Sequence, residues 1–194
     1  DFETGVNNQT YEYYIDFAAE NGIPYVIMDE GWSDQFDVLL PTPKVDMEHL
    51  TDYAAKKGVG LILWGVWYTM DRQYEEAFEL FEKWGIAGVK IDFIDRDDQL
   101  GIEFYERLAK AAAEHKLLVD YHGCSKPTGL HRTYPNLVNY ESVRGNEYNK
   151  FSEDGVPPDH NVTIAFTRMT AGPIDYTPGA MRNRSEEHTS ELQS

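Results

Sequence analysis

Short apolar runs alternate along the chain with stretches whose apolar residues recur every three or four positions. Tyr25–Met28 (YVIM), Leu61–Leu63, Gly88–Ile91, Leu117–Val119 and Leu137–Tyr140 read as strands, and Ile164–Thr167 reads as a sixth. These runs show little alternation, which fits parallel strands covered on both faces. Between them lie helical stripes. Tyr11, Tyr14, Ile15 and Ala18 form one, and Met47, Leu50 and Ala54 another. Tyr74, Ala77, Phe78 and Phe81 form a third, and Ile102, Tyr105, Leu108, Ala109 and Ala112 a fourth. Each follows the spacing of one buried helix face. Gly22, Gly58 and Gly85 follow the first three as stops.

The first five strands end at Asp29, Trp64, Asp92, Asp120 and Glu141, 21 to 35 residues apart. Repeated strand–helix units imply a parallel sheet, either doubly wound or closed as a barrel. No glycine-rich phosphate loop follows any strand, which weighs against a nucleotide-binding sheet. Polar residues at nearly every carboxyl end favour a (β/α)8 TIM barrel, whose active site lies on that rim. Such barrels take about 250 residues, so the pattern predicts an incomplete barrel, with strand 1 and the last unit missing. The final string Arg184–Ser194 (RSEEHTSELQS) has no aromatic residue and a single Leu. It resembles the translation of a sequencing-adapter oligonucleotide. The expected organisation is therefore a partial domain over residues 1–183 and a non-native tail over 184–194.

Composition narrows the partners. There are 17 Lys and Arg against 34 Asp and Glu in 194 residues, a formal net charge of −17. No basic patch exists to meet nucleic acid or an anionic membrane surface. Aromatic residues make up 13%, too many for a disordered acidic chain. Cys124 is the one cysteine, which excludes an internal disulfide and a cysteine-based metal site. No apolar run has membrane-spanning length. An acidic, aromatic chain suits a neutral, polar, ring-shaped ligand such as a sugar.

The rim residues carry candidate chemistry. Carboxylates recur there: Asp29, Glu30, Asp92, Asp120 and Glu141, with Glu147 close behind. Any one acid could be a helix cap, and Asp95, Asp97 and Asp98 read as heading the helix near Gln99. Glycoside hydrolysis needs two carboxylates, one to attack or activate water and one to protonate the leaving oxygen. Trp32, Trp64 and Trp67 stand near the acids, as stacking faces for a sugar or as packing against the barrel. Lys90 lies two residues before Asp92, hence on the same face of the strand. Two other readings use the same fold. A metal-dependent amidohydrolase barrel fits Lys90 and His122 loosely, but the chain has no H-x-H. A non-catalytic sugar-binding barrel would keep Trp32 and Trp64 yet could lose an acid.

Residues 11–182 resemble the catalytic barrel of glycoside hydrolase family 97. The stretches that carry the resemblance are GIPYVIMDEGW (22–32), WGIAGVKIDFIDRDDQ (84–99), HGCSKPTGLHRTYPNLVNYESVRGNEY (122–148) and FTRMTAGPIDYTPG (166–179). The resemblance implies a bacterial, periplasmic or secreted enzyme acting on α-linked galactosides or glucosides, its barrel flanked by two β-domains. Inverting members carry glutamate bases that align with Gly123 and with a position near Val66, and neither is Glu here. The resemblance therefore implies the retaining branch, with Asp92 as nucleophile and Glu147 as general acid/base. It implies calcium as cofactor, with Glu141 and Glu147 as ligands. Together with the residue-level reading above, this makes Asp29, Glu30, Trp32, Trp64, Lys90 and His122 the candidate substrate contacts. The MDEGW segment resembles a motif of retaining α-galactosidases, with Glu30 in place of a second Asp. An α-galactosidase is expected first, an α-glucosidase second, with the 194-residue piece itself inactive. Oligomeric state is left open.

Overall fold

The structure is a computed structural model that describes residues 3–179. It opens with helix α1 (Asn8–Glu20) and strand β1 (Tyr25–Met28), followed by a small hairpin of β2 (Ser33–Asp34) and β3 (Asp37–Pro41). Then come α2 (Met47–Lys57), β4 (Gly60–Val66), α3 (Trp67–Trp84), β5 (Gly88–Asp92), α4 (Gln99–Glu114), β6 (Leu118–Tyr121), β7 (Leu137–Tyr140) and α5 (Pro158–Phe166). The main sheet has the order β1-β4-β5-β6-β7, every neighbouring pair parallel. Spatial order thus follows chain order, as strand–helix–strand crossovers of one hand produce.

Local chemistry accounts for the boundaries. Asp46 and Asp98 cap α2 and α4, their side chains accepting from His49 N and Gly101 N at 3.0 Å. Gly58 and Gly85 end α2 and α3 in the left-handed conformation, at φ 72° and 74°, which glycine adopts without a Cβ penalty. Strand β4 is buried at Leu61 through Val66 on both faces. The α3 stripe of Met70, Ala77, Phe78 and Phe81 joins it in the core, together with Tyr105, Leu108 and Ala112 of α4.

One expectation changes, and one element is new. Ile164–Thr167 is not a strand: Ile164 to Phe166 are the last residues of α5. Pro158 opens that helix with Asp159 in its first turn, a start signal that outweighs three apolar residues in a row. The β2–β3 hairpin was not evident from periodicity, because two residues facing five give no alternation to read.

Candidate active site

The carboxyl ends of the main strands open on a cleft of about 640 Å³, an ordinary size for a small-molecule site. Asp29, Glu30, Trp64, Lys90, Asp92, His122, Glu141 and Glu147 all line it. Strand register explains the lower layer. Trp64, Lys90, Asp120 and Asn139 are direct partners across β4 to β7, so they share one face of the sheet.

Lys90 lies at the centre and is 8% exposed. Its Nζ donates to Asp29 Oδ2 at 2.7 Å and sits 3.8 Å from Asp92 Oδ2. Burial alone pushes the ammonium down, but Asp29, Asp92 and Asp120 together outweigh it and the net shift is upward. Lys90 therefore remains a cation among carboxylates.

Asp92 ends β5 with both oxygens held. Trp64 Nε1 donates to Oδ2 at 3.1 Å, and the Phe93 backbone N–H donates to Oδ1 at 2.7 Å. Behind it the chain turns through two left-handed residues, Phe93 at φ 58° and Asp95 at φ 43°. Such a conformation costs about 1–2 kcal/mol for a residue with a side chain. Gly123 packs into this turn at φ 47°, and a Cβ there would lie 2.9 Å from Phe93 N and 3.3 Å from Asp92 Oδ1. A longer side chain at position 123 would compete with Asp92 for the same space.

The rim is crowded with negative charge. Glu30 is raised above the usual carboxylate value by burial, then by Asp29 and Asp92. Glu141 is raised chiefly by burial, with Asp92 and Glu147 adding to it. It is partly relieved by the Gly123 N–H, which donates to Oε2 at 2.9 Å. Glu147 sits on a short 3-10 turn, Asn146–Lys150, and its backbone N–H donates to Thr177 O at 3.1 Å.

His122 is the second buried cation, 4% exposed. Its Nε2–H donates to Asp175 Oδ2 at 2.6 Å and lies 3.4 Å from Asp120 Oδ2, while Nδ1 is 3.7 Å from Glu141 Oε2. Burial pushes the imidazole down, but Asp120 and Asp175 lift it to about 10. Asp175 is held well below the usual carboxylate range, first by His122. Burial pushes Asp120 up to about 6, and its Oδ1 is buried without a hydrogen-bond partner.

Among the described residues, Asp120, His122 and Asp175 form the group of three close enough to share an ion. The 2.6 Å contact between His122 and Asp175 is shorter than the roughly 3.3 Å kept by two ligands each about 2.0–2.1 Å from a tetrahedral zinc. It is a hydrogen bond, which weighs against the amidohydrolase-type metal centre. Glu141 and Glu147 belong to no such group of three among the described residues.

Trp32 requires a correction. It is 0% exposed and packs edge-on against Phe81, with ring centroids 6.1 Å apart. Its Nε1 donates to Trp64 O at 2.7 Å. A ring sealed in the core offers no face to a sugar. Trp64 does reach the cleft, but it is 3% exposed and its N–H is committed to Asp92. Asp175 was not foreseen, because it lies distant in sequence from the strand ends and only the fold brings it to His122. The one signal was its place within the FTRMTAGPIDYTPG stretch.

The chain resembles known proteins in both sequence and fold. Residues 1–143 match the model of the family described as Glycoside hydrolase 97. The chain is 48% identical over 189 residues to a retaining alpha-galactosidase of Bacteroides thetaiotaomicron, covering 96% of this chain and 28% of that protein. It is 37% identical over 174 residues to a probable retaining alpha-galactosidase of Streptomyces bingchenggensis, covering 86% and 27%. The chain thus spans less than a third of either curated relative's length. It also superposes, with TM-score 0.79 and 33% identity, on a Glycoside Hydrolase Family 97 enzyme in complex with acarbose from Pseudoalteromonas sp. strain K8. That match covers 90% of this chain and 31% of that one.

Proposed function

The chain belongs to glycoside hydrolase family 97, and from that premise we propose that the protein hydrolyses terminal α-linked galactosides with retention of configuration. The observation that carries this reading is Asp92, fixed through both oxygens in a cleft that Glu147 also lines. The relatives at 48% and 37% identity, named a retaining and a probable retaining alpha-galactosidase, support it. The close packing of Gly123 against Asp92 supports the retaining branch, since the inverting base aligned with position 123 would need that space.

In this mechanism one Asp92 oxygen attacks the anomeric carbon as the bond to the leaving oxygen breaks, and Glu147 gives its proton to that oxygen. Glu147 then takes a proton from water, which attacks the same carbon and releases Asp92. Two inversions give net retention. Asp29 and Lys90, bonded at 2.7 Å, present an acceptor and a donor to sugar hydroxyls. Glu30 and His122 line the same cleft and complete the binding wall.

The reading also takes the parallel sheet as five strands of an incomplete (β/α)8 TIM barrel, with residues 1–183 as a partial catalytic domain. Chain-order pairing supports it, as does the outer strand β1, whose Tyr25 and Ile27 are 44% and 38% exposed. The proposed tail at 184–194 lies outside the described residues. Bacterial periplasmic or secreted location belongs to the same reading. Calcium fits the donor chemistry of the rim, where Glu141 and Glu147 offer hard carboxylate oxygens in a crowd of like charge. These two residues would hold it. When bound, it would supply positive charge that orders the rim carboxylates and polarises sugar hydroxyls.

The test is the anomer first released from an aryl α-galactoside, followed by NMR before mutarotation. The α-anomer is expected. First release of the β-anomer refutes Asp92 as nucleophile. Faster turnover of the matched aryl α-glucoside refutes the galactoside preference and favours the glucosidase reading.

A further inference from the structure

Beyond the two carboxylates proposed for the chemistry, one segment meets the rim at both His122 and Glu147. After α5 the chain passes a short turn and continues through residues 173–179 as a strap without helix or strand. Arg168 roots it, donating to Tyr140 O, Gly172 O and Pro173 O at 3.1 to 3.2 Å. Asp175 N donates to Tyr140 O at 2.9 Å, so the strap continues the hydrogen-bonded edge beyond β7. Thr177 O accepts from Glu147 N at 3.1 Å. Tyr176 points the other way, its hydroxyl donating to Asn161 Oδ1 at 2.7 Å on α5.

We propose that Asp175 is a positioning residue that holds the His122 ring at the angle at which it binds the sugar. The His122 side chain is buried and lines the cleft, and two carboxylates stand within reach of its Nε2, one on β6 and one on the strap. Asp120 stands at 3.4 Å and Asp175 at 2.6 Å. The shorter bond decides the ring's rotation, and it comes from the strap and not from the sheet. Charge-assisted hydrogen bonds of this kind are about twice as strong as neutral ones and more directional. With Nε2 tied to Asp175, Nδ1 is left facing Glu141 and the rim. The strap thereby links sugar binding at His122 to the backbone position of Glu147. A contact made equally in ground and transition states acts on KM more than on kcat.

This inference rests on the galactosidase reading, so its test has one arm that needs no turnover. In the full-length protein, Asp175→Asn is expected to raise KM for an aryl α-galactoside about tenfold, with kcat changed less than about threefold. In ¹⁵N-histidine-labelled protein, a far-downfield imidazole N–H proton assigned to His122 is expected in the wild type and lost in Asp175→Asn. Asp175→Glu keeps the charge and is expected to recover part of both signals, which covers the case in which Asp175→Asn does not fold. Tyr176→Phe removes a bond to α5 that holds neither His122 nor Glu147, and is expected to leave KM unchanged. An unchanged KM in Asp175→Asn, a fall in kcat alone, or an equal KM rise in Tyr176→Phe overturns the proposal. Absence of the His122 proton in the wild type overturns it as well. A wild type without galactosidase activity strikes the galactosidase reading, while the proton signal still decides whether Asp175 holds His122.

Discussion

Gly145→Ala is the sharpest perturbation of the rim. Gly145 precedes the turn that carries Glu147, and its φ of −83° suits any residue, so alanine brings no backbone strain. The objection to alanine is purely steric. Its Cβ would stand 2.1 Å from Thr177 Oγ1, 2.7 Å from Thr177 O and 3.0 Å from Thr177 N. The hydroxyl can rotate away, but the carbonyl cannot. Ordinary contact begins at 3.4 Å, so the 2.7 Å approach forces strap and turn apart by about 0.7 Å. The carbonyl that must move is the one that accepts from Glu147 N. Overpacking of this kind costs about 1–3 kcal/mol of stability. A misplacement near 1 Å at a catalytic group costs about 10²-fold in rate, so a fall in kcat of roughly 30- to 100-fold is expected. Gly58→Ala is the matched control. It meets open space but sits at φ 72°, and there it costs about 1 kcal/mol by strain alone. The assay is kcat and KM on an aryl α-galactoside beside a thermal melt for each variant. If Gly145→Ala keeps wild-type kcat, or loses no more than Gly58→Ala at equal melting temperature, the strap does not set the position of Glu147.

Three further outcomes follow from the same geometry. Trp32→Phe leaves KM unchanged and lowers stability by about 1–3 kcal/mol, since it opens space in the core and removes the bond to Trp64 O; a raised KM with an unaltered melt would restore the stacking role. Asp98 is held below the usual carboxylate value, first by Arg96 and then by the Gly101 N–H, so its contribution is present above about pH 4 and lost as pH falls through the depressed value. Asp98→Ala therefore lowers the melting temperature at pH 7 and the gap narrows toward pH 3; a gap independent of pH contradicts the assignment. Exhaustive chelation lowers both activity and melting temperature, and added calcium restores both; a chelated enzyme unaltered in both removes calcium from the reading.

The parallel sheet was legible because burial on both faces leaves a plain mark. Five apolar runs correspond to the five strands, with ends shifted by a few residues where β4 runs on to Val66. Helices α1 to α4 were equally plain, for each has one apolar stripe, and the left-handed Gly58 and Gly85 stop two of them. Ile164–Thr167 misled because a run of three or four apolar residues has no period of its own. The Pro158 start signal six residues earlier was the better guide.

Site residues were legible to the extent that they stand at strand ends. Asp29, Lys90, Asp92, His122 and Glu141 reach the cleft because parallel strands in register deliver their ends to one rim. Sequence position cannot say whether a tryptophan beside that rim turns inward. Trp32 and Trp64 have the same chemistry, yet one is sealed against Phe81 and the other gives its N–H to Asp92. The difference lies in what α3 and β5 leave uncovered, which is a property of packing. Asp175 was hidden for a different reason. Its partner His122 is 53 residues away, and the strap that carries it has no strand or helix period to announce it. Asp175 reaches the site because Tyr140 O accepts its backbone N–H, so its role depends on β7, the edge strand of the five-stranded sheet.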